Sequence, residues 1–350
     1  MKVYFYHTQD IQRIVREWGQ GRFPGHFLYG ATLLDRHGID VVWHRTMRRY
    51  TLNRWRMIAY NTWQILTCRQ HYDAIYATHY RGIELIIFMR ALGLFRRPVV
   101  IWHHQPMIVS PSPIRRLLGR LFYRGIDHMF FFSEKLVNDS LATPNARPGR
   151  IHLGHWGPDM AFFNRLMTGQ AGKERQGFIS TGKERRDMTT LFNAFERAGV
   201  AVDVYWPETY RRMLDGMTIG HNVMMHYIDG LLPYELSIKV NGAACVVICC
   251  EETKYTVGLT TVVEALGLGL PMICSRNPQF PIDIDREGCG ISVPYYDEDA
   301  WVEAIRYMAS HPDEARSMGR RSRELAETRF NDEICAREAA EILRMAVNGQ

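Results

Sequence analysis

The sequence predicts an α/β protein made of two successive domains, each with a parallel sheet. Short apolar runs alternate with amphipathic helices in both halves, which is typical of βα series. The charge balance also reverses midway: residues 1–172 hold 23 Lys and Arg against 10 Asp and Glu, and residues 173–350 hold 20 against 27. A chain of 350 residues suits about two to three domains. Because ligands of such sheets bind beyond the carboxyl ends of the strands, we expect two Rossmann-like domains that face each other across a crevice.

The composition excludes several other classes of protein. With 46% apolar and 23% charged residues and no short-period repeat, the chain is neither a disordered tail nor a fibre nor a solenoid. Its apolar runs are far shorter than the roughly 20 residues of a membrane span. The seven cysteines lack metal-ligand spacing, which predicts reduced, mostly buried thiols in a cytoplasmic protein.

The first series of elements occupies the basic half. A strand at 2–6 is followed by a glycine-punctuated loop over 19–25 and a helix from about residue 27 to residue 36. His37 and Gly38 end that helix. Further strands are predicted at 39–43, 74–77, 99–102 and 129–132, the last leading through Ser133 into a helix. This order indicates an N-terminal Rossmann-like domain over residues 1–165.

The second series begins after a stretch of glycine and charge at 164–177, where we place the linker. Strands are predicted at 178–180, 202–206, 244–250 and 272–275. Asp187 caps a helix that ends at Gly199, further helices cover 234–241 and 260–268, and a polar helical tail starts near Glu298. We therefore expect a second domain over 166–334, with the last helix, about 335–350, free to pack back on the first.

The most informative segment runs from Cys250 to Ser275. A buried strand, a loop, a helix opened by Gly-Leu-Thr-Thr and another strand form one βαβ unit, whose helix N-terminus suits a phosphate. Thr260 and Thr261 would add hydroxyl donors, and Glu264 would accept from the cis-diol of an attached ribose. The alternative for Glu264 is a capping box, since Thr261-x-x-Glu264 before an apolar run matches that pattern equally well.

Residues 258–271, GLTTVVEALGLGLP, resemble the nucleotide-binding motif of the retaining family 4 glycosyltransferases, which have the GT-B fold of two Rossmann-like domains. The similarity extends in order over most of the chain. The other matching elements are Gly154 to Asp159 with Phe162 and Phe163, the strand and basic loop Phe178 to Lys183, Arg186 and Asp187 before Ala194 and Phe195, and Gly290, Asp297, Met318 and Gly319.

The resemblance implies roles for individual residues. The expected donor-nucleotide residues are Gly182, Lys183, Arg186, Gly258, Leu259, Thr260, Thr261 and Glu264. The expected catalytic residues are Lys183 and Arg186, which would neutralise the donor diphosphate, and His103, near the transferred sugar. The expected sugar and acceptor residues are Gly21, Gly25 and His104. Alternatives stay open: 183–187 as a solvated charged loop, His103 as a structural histidine, and the Gly19–Gly21–Gly25 loop as an ordinary turn.

One position departs from the family pattern. The family often pairs two glutamates with seven residues between them, and the first contacts the transferred sugar. Here Thr256 occupies that first place, and Glu251 and Glu252 are displaced from it. The identity of the donor sugar is therefore left open.

The expected function is metal-independent transfer of a sugar, with retention, from a nucleotide sugar to a saccharide or lipid-linked acceptor in polysaccharide or glycolipid biosynthesis. The nucleotide sugar, with UDP as the expected nucleotide, is a substrate, and no cofactor or nucleic-acid partner is expected. The alternatives are a sugar-nucleotide epimerase of the same fold and, with less support, a nucleic-acid binder. A metal-dependent Asp-x-Asp enzyme would have to use Asp283-x-Asp285 or Asp297-x-Asp299, which resemble solvated loop charge.

Two basic stretches of the first half also carry apolar residues. One comprises Arg45, Arg48, Arg49, Arg54 and Arg56 with Trp55 and Met57, and the other Arg115, Arg116 and Arg120 with Leu117, Leu118, Leu121 and Phe122. Such stretches suit the anionic inner face of a cell membrane, where a lipid-linked acceptor would lie. The alternative is an ordinary helix whose apolar face packs on the core.

Overall fold

The structure is a computed structural model that describes residues 1–47, 53–169, 172, 174–230 and 233–349. The chain forms two compact units. Unit 1 comprises Met1–Gln20, Gly25–Trp156 and Asp332–Gln350, and unit 2 comprises Gly21–Pro24 and Gly157–Asn331. Within the described residues each unit holds one six-stranded parallel sheet with flanking helices, so the predicted fold class is confirmed.

The sheet of unit 1 has the order β2-β1-β3-β4-β5-β6. Its strands are β1 Lys2–Tyr6, β2 Asp40–Trp43, β3 Ala74–Ala77, β4 Val99–Trp102, β5 His128–Phe131 and β6 Ile151–Leu153. Its helices are α1 Ile11–Gly19, α2 Arg54–Leu66, α3 Glu84–Ala91, α4 Pro113–Arg124, α5 Glu134–Leu141 and, at the other end of the chain, α13 Asp332–Asn348. Strands β3, β4 and β5 are buried throughout, as expected for a sheet covered on both faces.

The direction of each crossover decides which face a helix covers. From β2 through β3 and β4 to β5 the chain always moves in the same direction across the sheet. Right-handed crossovers therefore place α2, α3 and α4 on the same face. The step from β1 to β2 runs the opposite way and places α1 on the other face. Helix α13 packs on β3 and β4, and α3 lies against both α2 and α4.

The predicted helix over residues 27–36 is wrong as a continuous α-helix. Two 3₁₀ helices, Gly25–Leu28 and Ala31–His37, take its place. Between them Tyr29 and Gly30 have φ of 51° and 76°. A Cβ on Gly30 would lie 2.7 Å from the Ala336 backbone, so the close approach of α13 requires a left-handed glycine there and interrupts the helix.

The sheet of unit 2 has the order β12-β11-β10-β7-β8-β9. Its strands are β7 Phe178–Thr181, β8 Val202–Pro207, β9 Val223–Ile228, β10 Cys245–Ile248, β11 Met272–Ser275 and β12 Gly290–Val293. Its helices are α6 Met160–Gly169, α7 Met188–Ala198, α8 Pro233–Gly242, α9 Leu259–Leu268, α10 Ile284–Glu287, α11 Glu298–Ser310 and α12 Pro312–Thr328. The predicted domain boundary after residue 165 lies inside α6, whereas the two units divide between Trp156 and Gly157.

Helix ends in unit 2 follow the predicted signals. The Asp187 carboxylate accepts from the Thr190 amide at the start of α7, and Gly199 ends that helix with φ of 71°. The first part of the predicted linker at 164–177 is instead the end of α6. Gly267 of α9 packs so closely on α6 that a Cβ there would lie 2.6 Å from the Phe163 ring. This contact joins two of the segments that carry the family resemblance.

All seven cysteines are free thiols, and every one except the half-buried Cys68 is buried. Among the described residues, no helix combines the length and the apolar character that crossing a membrane requires.

Candidate functional site

Helix α9 presents its N-terminus at the carboxyl end of β10, the strand beside the centre of the unit 2 sheet. Gly258 caps the helix with φ of 88°, and a Cβ there would lie 2.8 Å from the Ile248 side chain. Both the backbone conformation and the space therefore require glycine. Leu259 is buried beneath the first turn, whereas Thr260 is exposed.

The two ends of α9 differ in the partners of their backbone groups. At the C-terminal end, Arg175 donates to the carbonyls of Leu268 and Gly269 at 2.7 and 3.0 Å, and Arg323 donates to that of Gly267 at 2.5 Å. At the N-terminal end, no described side chain caps the helix. Cations thus satisfy the negative end of the helix dipole. At the positive end the Leu259 amide donates to the Thr256 carbonyl at 3.1 Å, while the Thr260 and Thr261 amides stay available to an anion.

The capping-box alternative for Glu264 is wrong. Helix α9 begins at Leu259 with Gly258 as its cap, so Thr261 already lies in the first turn and Glu264 one turn further along. The Glu264 carboxylate makes no hydrogen bond to any described residue. Burial raises the pKa of this half-buried carboxyl to about 7, against a smaller lowering by Arg186. A desolvated carboxyl without a partner is expected to gain from a hydrogen-bonding ligand.

Arg186 joins the basic loop to α9. Its guanidinium donates to the carbonyls of Thr181 and Glu184 at 3.1 and 3.2 Å, to Cys250 Sγ at 3.1 Å and to Thr261 Oγ1 at 3.1 Å. Of the five N–H groups of an arginine, these bonds leave about one for a ligand. Arg186 is therefore held in one geometry, with its charge beside the N-terminus of α9.

These contacts describe the surroundings of Thr261 and of the loop 183–187. The Thr261 hydroxyl accepts from Arg186 and is buried, so it positions that guanidinium, and only Thr260 offers an exposed hydroxyl. Residues 183–187 are also not simply a solvated loop, because Arg186 and Cys250 form an antiparallel bridge that ties the loop to the end of β10. A Cβ on Gly182, where φ is 87°, would lie 2.4 Å from Arg186 Nη2.

Lys183 lies on the exposed part of the same loop. Its Nζ is 4.0 Å from the centre of the Tyr210 ring, and it makes no ion pair with a described residue. Its ammonium is therefore free to turn toward an anion, at the cost of a cation–π contact of about 0.5 to 1 kcal/mol. Of the two basic residues, Arg186 is fixed and Lys183 can move.

The two displaced glutamates differ in their surroundings. The Glu251 carboxylate pairs with Arg185 at 3.1 Å. The Glu252 side chain is exposed and has no partner among the described residues, while its amide donates to the Tyr296 hydroxyl at 3.0 Å. Sequence reasoning missed Tyr296 and Tyr210, since an isolated tyrosine on a loop gives no periodic signal.

The two histidines after β4 belong to unit 1 and also differ. His103 is 1% exposed among the rings of Tyr80, Tyr123 and Phe131. Its Nδ1 contacts the Gln105 carbonyl at 2.6 Å, its Nε2 is buried without a partner, and burial lowers its pKa to about 4. The ring of His104 is half-buried, with Nε2 2.9 Å from the Thr78 carbonyl. His103 thus has the surroundings of a structural histidine, and His104 is the more accessible of the pair.

The predicted glycine loop shows two different positions. Gly21 has φ of 71° and belongs to unit 2, where a Cβ would lie 3.7 Å from Arg165 Nη2. Gly25 is buried at the start of the first 3₁₀ helix of unit 1. A role in sugar or acceptor binding stays a prediction for both residues.

The described residues contain no group of three or more His, Cys, Asp or Glu side chains arranged to hold a metal ion. The two Asp-x-Asp pairs serve the fold. Asp283 and Asp297 cap α10 and α11, Asp285 accepts from the Ser292 amide at 2.8 Å, and Asp299 pairs with Arg197 at 2.5 Å. These four carboxylates therefore do not form the metal site of the alternative hypothesis.

The sequence matches no protein-family model and no curated protein. Several solved structures are similar over the whole chain. Sucrose-phosphate synthase of Thermosynechococcus elongatus has a TM-score of 0.72 at 14% identity, covering 100% of both chains. An α,α-trehalose 6-phosphate synthase of Burkholderia multivorans has a TM-score of 0.73 at 12% identity, covering 100% of this chain and 99% of its own.

The Anabaena protein HepE, solved with UDP and glucose, has a TM-score of 0.64 at 14% identity, covering 99% of this chain and 100% of its own. At these identities the likeness concerns the fold. Together with the two six-stranded parallel sheets, it establishes that the chain has the two-domain GT-B fold, as the sequence predicts.

Proposed function

We propose that the protein is a glycosyltransferase that moves a sugar, with retention and without a metal ion, from a nucleotide sugar to a saccharide or lipid-linked acceptor. The observation that carries the proposal is the N-terminus of α9, which no described side chain caps and which has the fixed Arg186 and the unpartnered Glu264 beside it. The expected nucleotide is UDP, which HepE contains in its solved complex. The expected pathway is polysaccharide or glycolipid biosynthesis.

The proposed chemistry follows from the charge of the leaving group. A nucleotide sugar loses a nucleoside diphosphate, so negative charge grows on the diphosphate as the glycosidic bond breaks. The Thr260 and Thr261 amides of α9, the fixed Arg186 and the mobile Lys183 would stabilise that charge. Because Arg186 is already held by four hydrogen bonds, it needs no reorganisation when the bond breaks.

Three further assignments belong to the proposal. The Glu264 carboxylate would accept from both ribose hydroxyls. Of the displaced glutamates, we assign the contact to the transferred sugar to Glu252, because Glu251 is paired with Arg185. In unit 1 we assign the predicted sugar-side histidine to His104, with the buried His103 supporting its strand end.

Product analysis separates this proposal from its alternatives. A transferase releases nucleoside diphosphate in proportion to added acceptor, whereas an epimerase converts one nucleotide sugar into another without an acceptor. We therefore expect diphosphate release from a UDP-sugar panel only when a saccharide or lipid-linked acceptor is present. Interconversion of donor sugars without release of nucleoside diphosphate would favour the epimerase. Binding of duplex or single-stranded nucleic acid, with neither diphosphate release nor interconversion, would favour the nucleic-acid binder.

We expect Gly182→Ala to weaken UDP binding about tenfold by displacing the Arg186 guanidinium. The added Cβ would meet Nη2 at 2.4 Å, and an L-residue at this φ costs roughly 1 to 2 kcal/mol. Gly199→Ala is the matched control, since Gly199 has a similar φ of 71° with nothing within 4 Å of an added Cβ. Thermal unfolding should show a loss in both variants and a larger one in Gly182→Ala, because displacing the guanidinium also breaks its hydrogen bonds. Titration calorimetry should show a loss of affinity in Gly182→Ala alone. Equal affinities would contradict the role of Arg186.

We further propose that unit 1 associates with anionic membranes through the layer formed by α2, α3 and α4. Helix α4 has only Tyr123 buried, and Ile114 and Leu117 are 73% and 67% exposed. Together with Leu118 and Leu121 they follow the i, i+3, i+4, i+7 pattern, so this apolar stripe points outward and not into the core. This placement argues against the ordinary-helix alternative.

The neighbouring helices support the same surface. Trp55 and Trp63 of α2 are 78% and 59% exposed, and Leu94 after α3 is 70% exposed. Arg45, Arg56, Arg115 and Arg116 add positive charge, whereas Arg54 is paired with Glu84 at 2.9 Å. Arg48 and Arg49 lie outside the described residues. Such a basic apolar surface suits anionic lipid at about 1 kcal/mol per well-placed cation.

Co-sedimentation with anionic vesicles tests this association. We expect binding that salt weakens and that Ile114→Ser with Leu117→Ser reduces at least tenfold, since each buried apolar side chain contributes about 1.5 to 3 kcal/mol. Met213→Ser is the control, because Met213 is 57% exposed but lies in unit 2. Vesicle binding that neither salt nor the α4 substitutions reduce would contradict the proposed surface.

A further inference from the structure

A pocket of about 340 Å³ opens between helix α4 and the segment that follows α5. Leu117, Arg120, Leu121 and Arg124 line it from α4, and Pro144, Asn145, Ala146 and Arg147 line it from the segment. All eight residues belong to unit 1, and none belongs to the nucleotide site described above.

The charge of this pocket is one-sided. Its lining includes three guanidinium groups, those of Arg120, Arg124 and Arg147, and no carboxylate. None of the three side chains makes an ion pair or a hydrogen bond with a described residue. The neighbouring Arg150, in contrast, faces Asp127 at 3.8 Å. Three like charges in a lining without a carboxylate give the pocket a positive potential, which Asp127 outside the lining offsets only in part.

The three arginine side chains are exposed to solvent, and two further features describe their surroundings. Burial, together with repulsion from Arg150 and Arg124, lowers the pKa of Arg147. The Asn145 Oδ1 atom is buried and has no hydrogen-bond partner. An anion between the guanidinium groups would relieve their repulsion.

The apolar part of the lining indicates where the rest of the ligand would go. Leu117 and Leu121 line the pocket and also belong to the outward stripe of α4, so the pocket opens onto that stripe. A ligand with an anionic head and an apolar tail would place the head between the arginines and the tail along the stripe. A free nucleotide or phosphate would use only the first of these surfaces.

We propose that this pocket binds the phosphate of an anionic phospholipid head group. The proposal rests on the proposed membrane association of unit 1 and adds a specific site to it. Arg147 is the decisive residue, because it lies outside α4 and a purely diffuse attraction of that helix to a charged surface would not single it out. Phosphate in a fork of guanidinium groups is the pairing that arginine favours.

The test compares Arg147→Gln and Arg124→Gln with Arg115→Gln, a matched loss of one charge on α4 outside the pocket. Vesicles of phosphatidylcholine with phosphatidylglycerol are the probe, and inorganic phosphate is the competitor. We expect each pocket variant to lose at least about tenfold in vesicle affinity and Arg115→Gln only a few-fold. Inorganic phosphate at the same concentration as the vesicle lipid should compete only weakly with vesicle binding. UDP affinity should be unchanged in all three variants, which shows that they are folded.

Equal losses in the three variants would overturn the pocket and leave diffuse attraction, with the membrane proposal intact. Arg147-dependent binding of inorganic phosphate without any vesicle binding would overturn the lipid as its source. No binding of either probe by the unaltered protein would overturn the proposal entirely. A protein that shows Arg147-dependent vesicle binding but no nucleotide binding would support the pocket while contradicting the transferase.

Discussion

Arg186→Ala is expected to weaken UDP binding about ten- to a hundredfold, the scale of one charged hydrogen bond to a phosphate. It should also lower the free energy of unfolding of the unliganded protein by about 1 to 3 kcal/mol. The stability loss follows from the structure, because the guanidinium connects two backbone carbonyls, Cys250 and the buried Thr261 hydroxyl. Titration calorimetry and urea unfolding measure the two effects separately.

Lys183→Ala is the comparison for that result. Its ammonium contacts only the Tyr210 ring among the described groups, so its removal should reduce UDP affinity while leaving the thermal midpoint nearly unchanged. An Arg186→Ala variant with normal affinity would show that the guanidinium serves only the loop. Loss of affinity in Arg186→Ala together with full affinity in Lys183→Ala would remove Lys183 from the site.

Glu264→Gln is expected to cost roughly 1.5 to 3 kcal/mol of UDP affinity above neutral pH and less below it. An ionised carboxylate accepts from both ribose hydroxyls, whereas the amide of glutamine offers one acceptor. Since the Glu264 pKa is about 7, the wild-type affinity should rise from pH 6 to pH 8 relative to that of the variant. Both proteins bind the same diphosphate, so their difference isolates Glu264.

The same pKa predicts a stability effect of opposite sign. The folded protein holds this proton more tightly than the unfolded chain, whose pKa has the ordinary value of 4.5, so the free energy of unfolding falls as pH rises from about 4.5 through 7. The full loss is roughly 3 kcal/mol at about 1.36 kcal/mol per pKa unit. Glu264→Gln should lack this slope. Parallel pH profiles of the two proteins, in both binding and stability, would show that Glu264 does not titrate near neutrality.

The βαβ unit around α9 was predictable because each of its signals is local. A run of buried β-branched and cysteine residues, a glycine at φ 88° and a second glycine after the helix specify the strand and both helix ends. The capping-box alternative also rested on a local pattern, Thr-x-x-Glu, and it is wrong. In the structure Gly258 is the N-cap and Thr261 lies inside the first turn, and the sequence does not display the close approach of Gly258 to Ile248.

Other features depend on partners distant in sequence. The interrupted helix after residue 25 follows from the packing of Ala336 on Gly30, and the edge strand β9 was not predicted because its partly exposed residues do not alternate. The resemblance identified Arg186, but its bonds to Cys250 and Thr261 join segments 64 and 75 residues away. The distinction between His103 and His104 likewise needs the surrounding rings.

Titration calorimetry with a series of nucleotides is the decisive measurement, since the site is proposed to hold a ribose and a diphosphate together. We expect UDP to bind with one-to-one stoichiometry and UMP and uridine to bind progressively more weakly. Near pH 7, UDP binding should release about half a proton more from wild type than from Glu264→Gln. If another nucleoside diphosphate binds in place of UDP, the donor base differs from the expected one but the proposed site stands. No affinity for any nucleoside diphosphate, or affinity that survives both Arg186→Ala and Glu264→Gln, would contradict it.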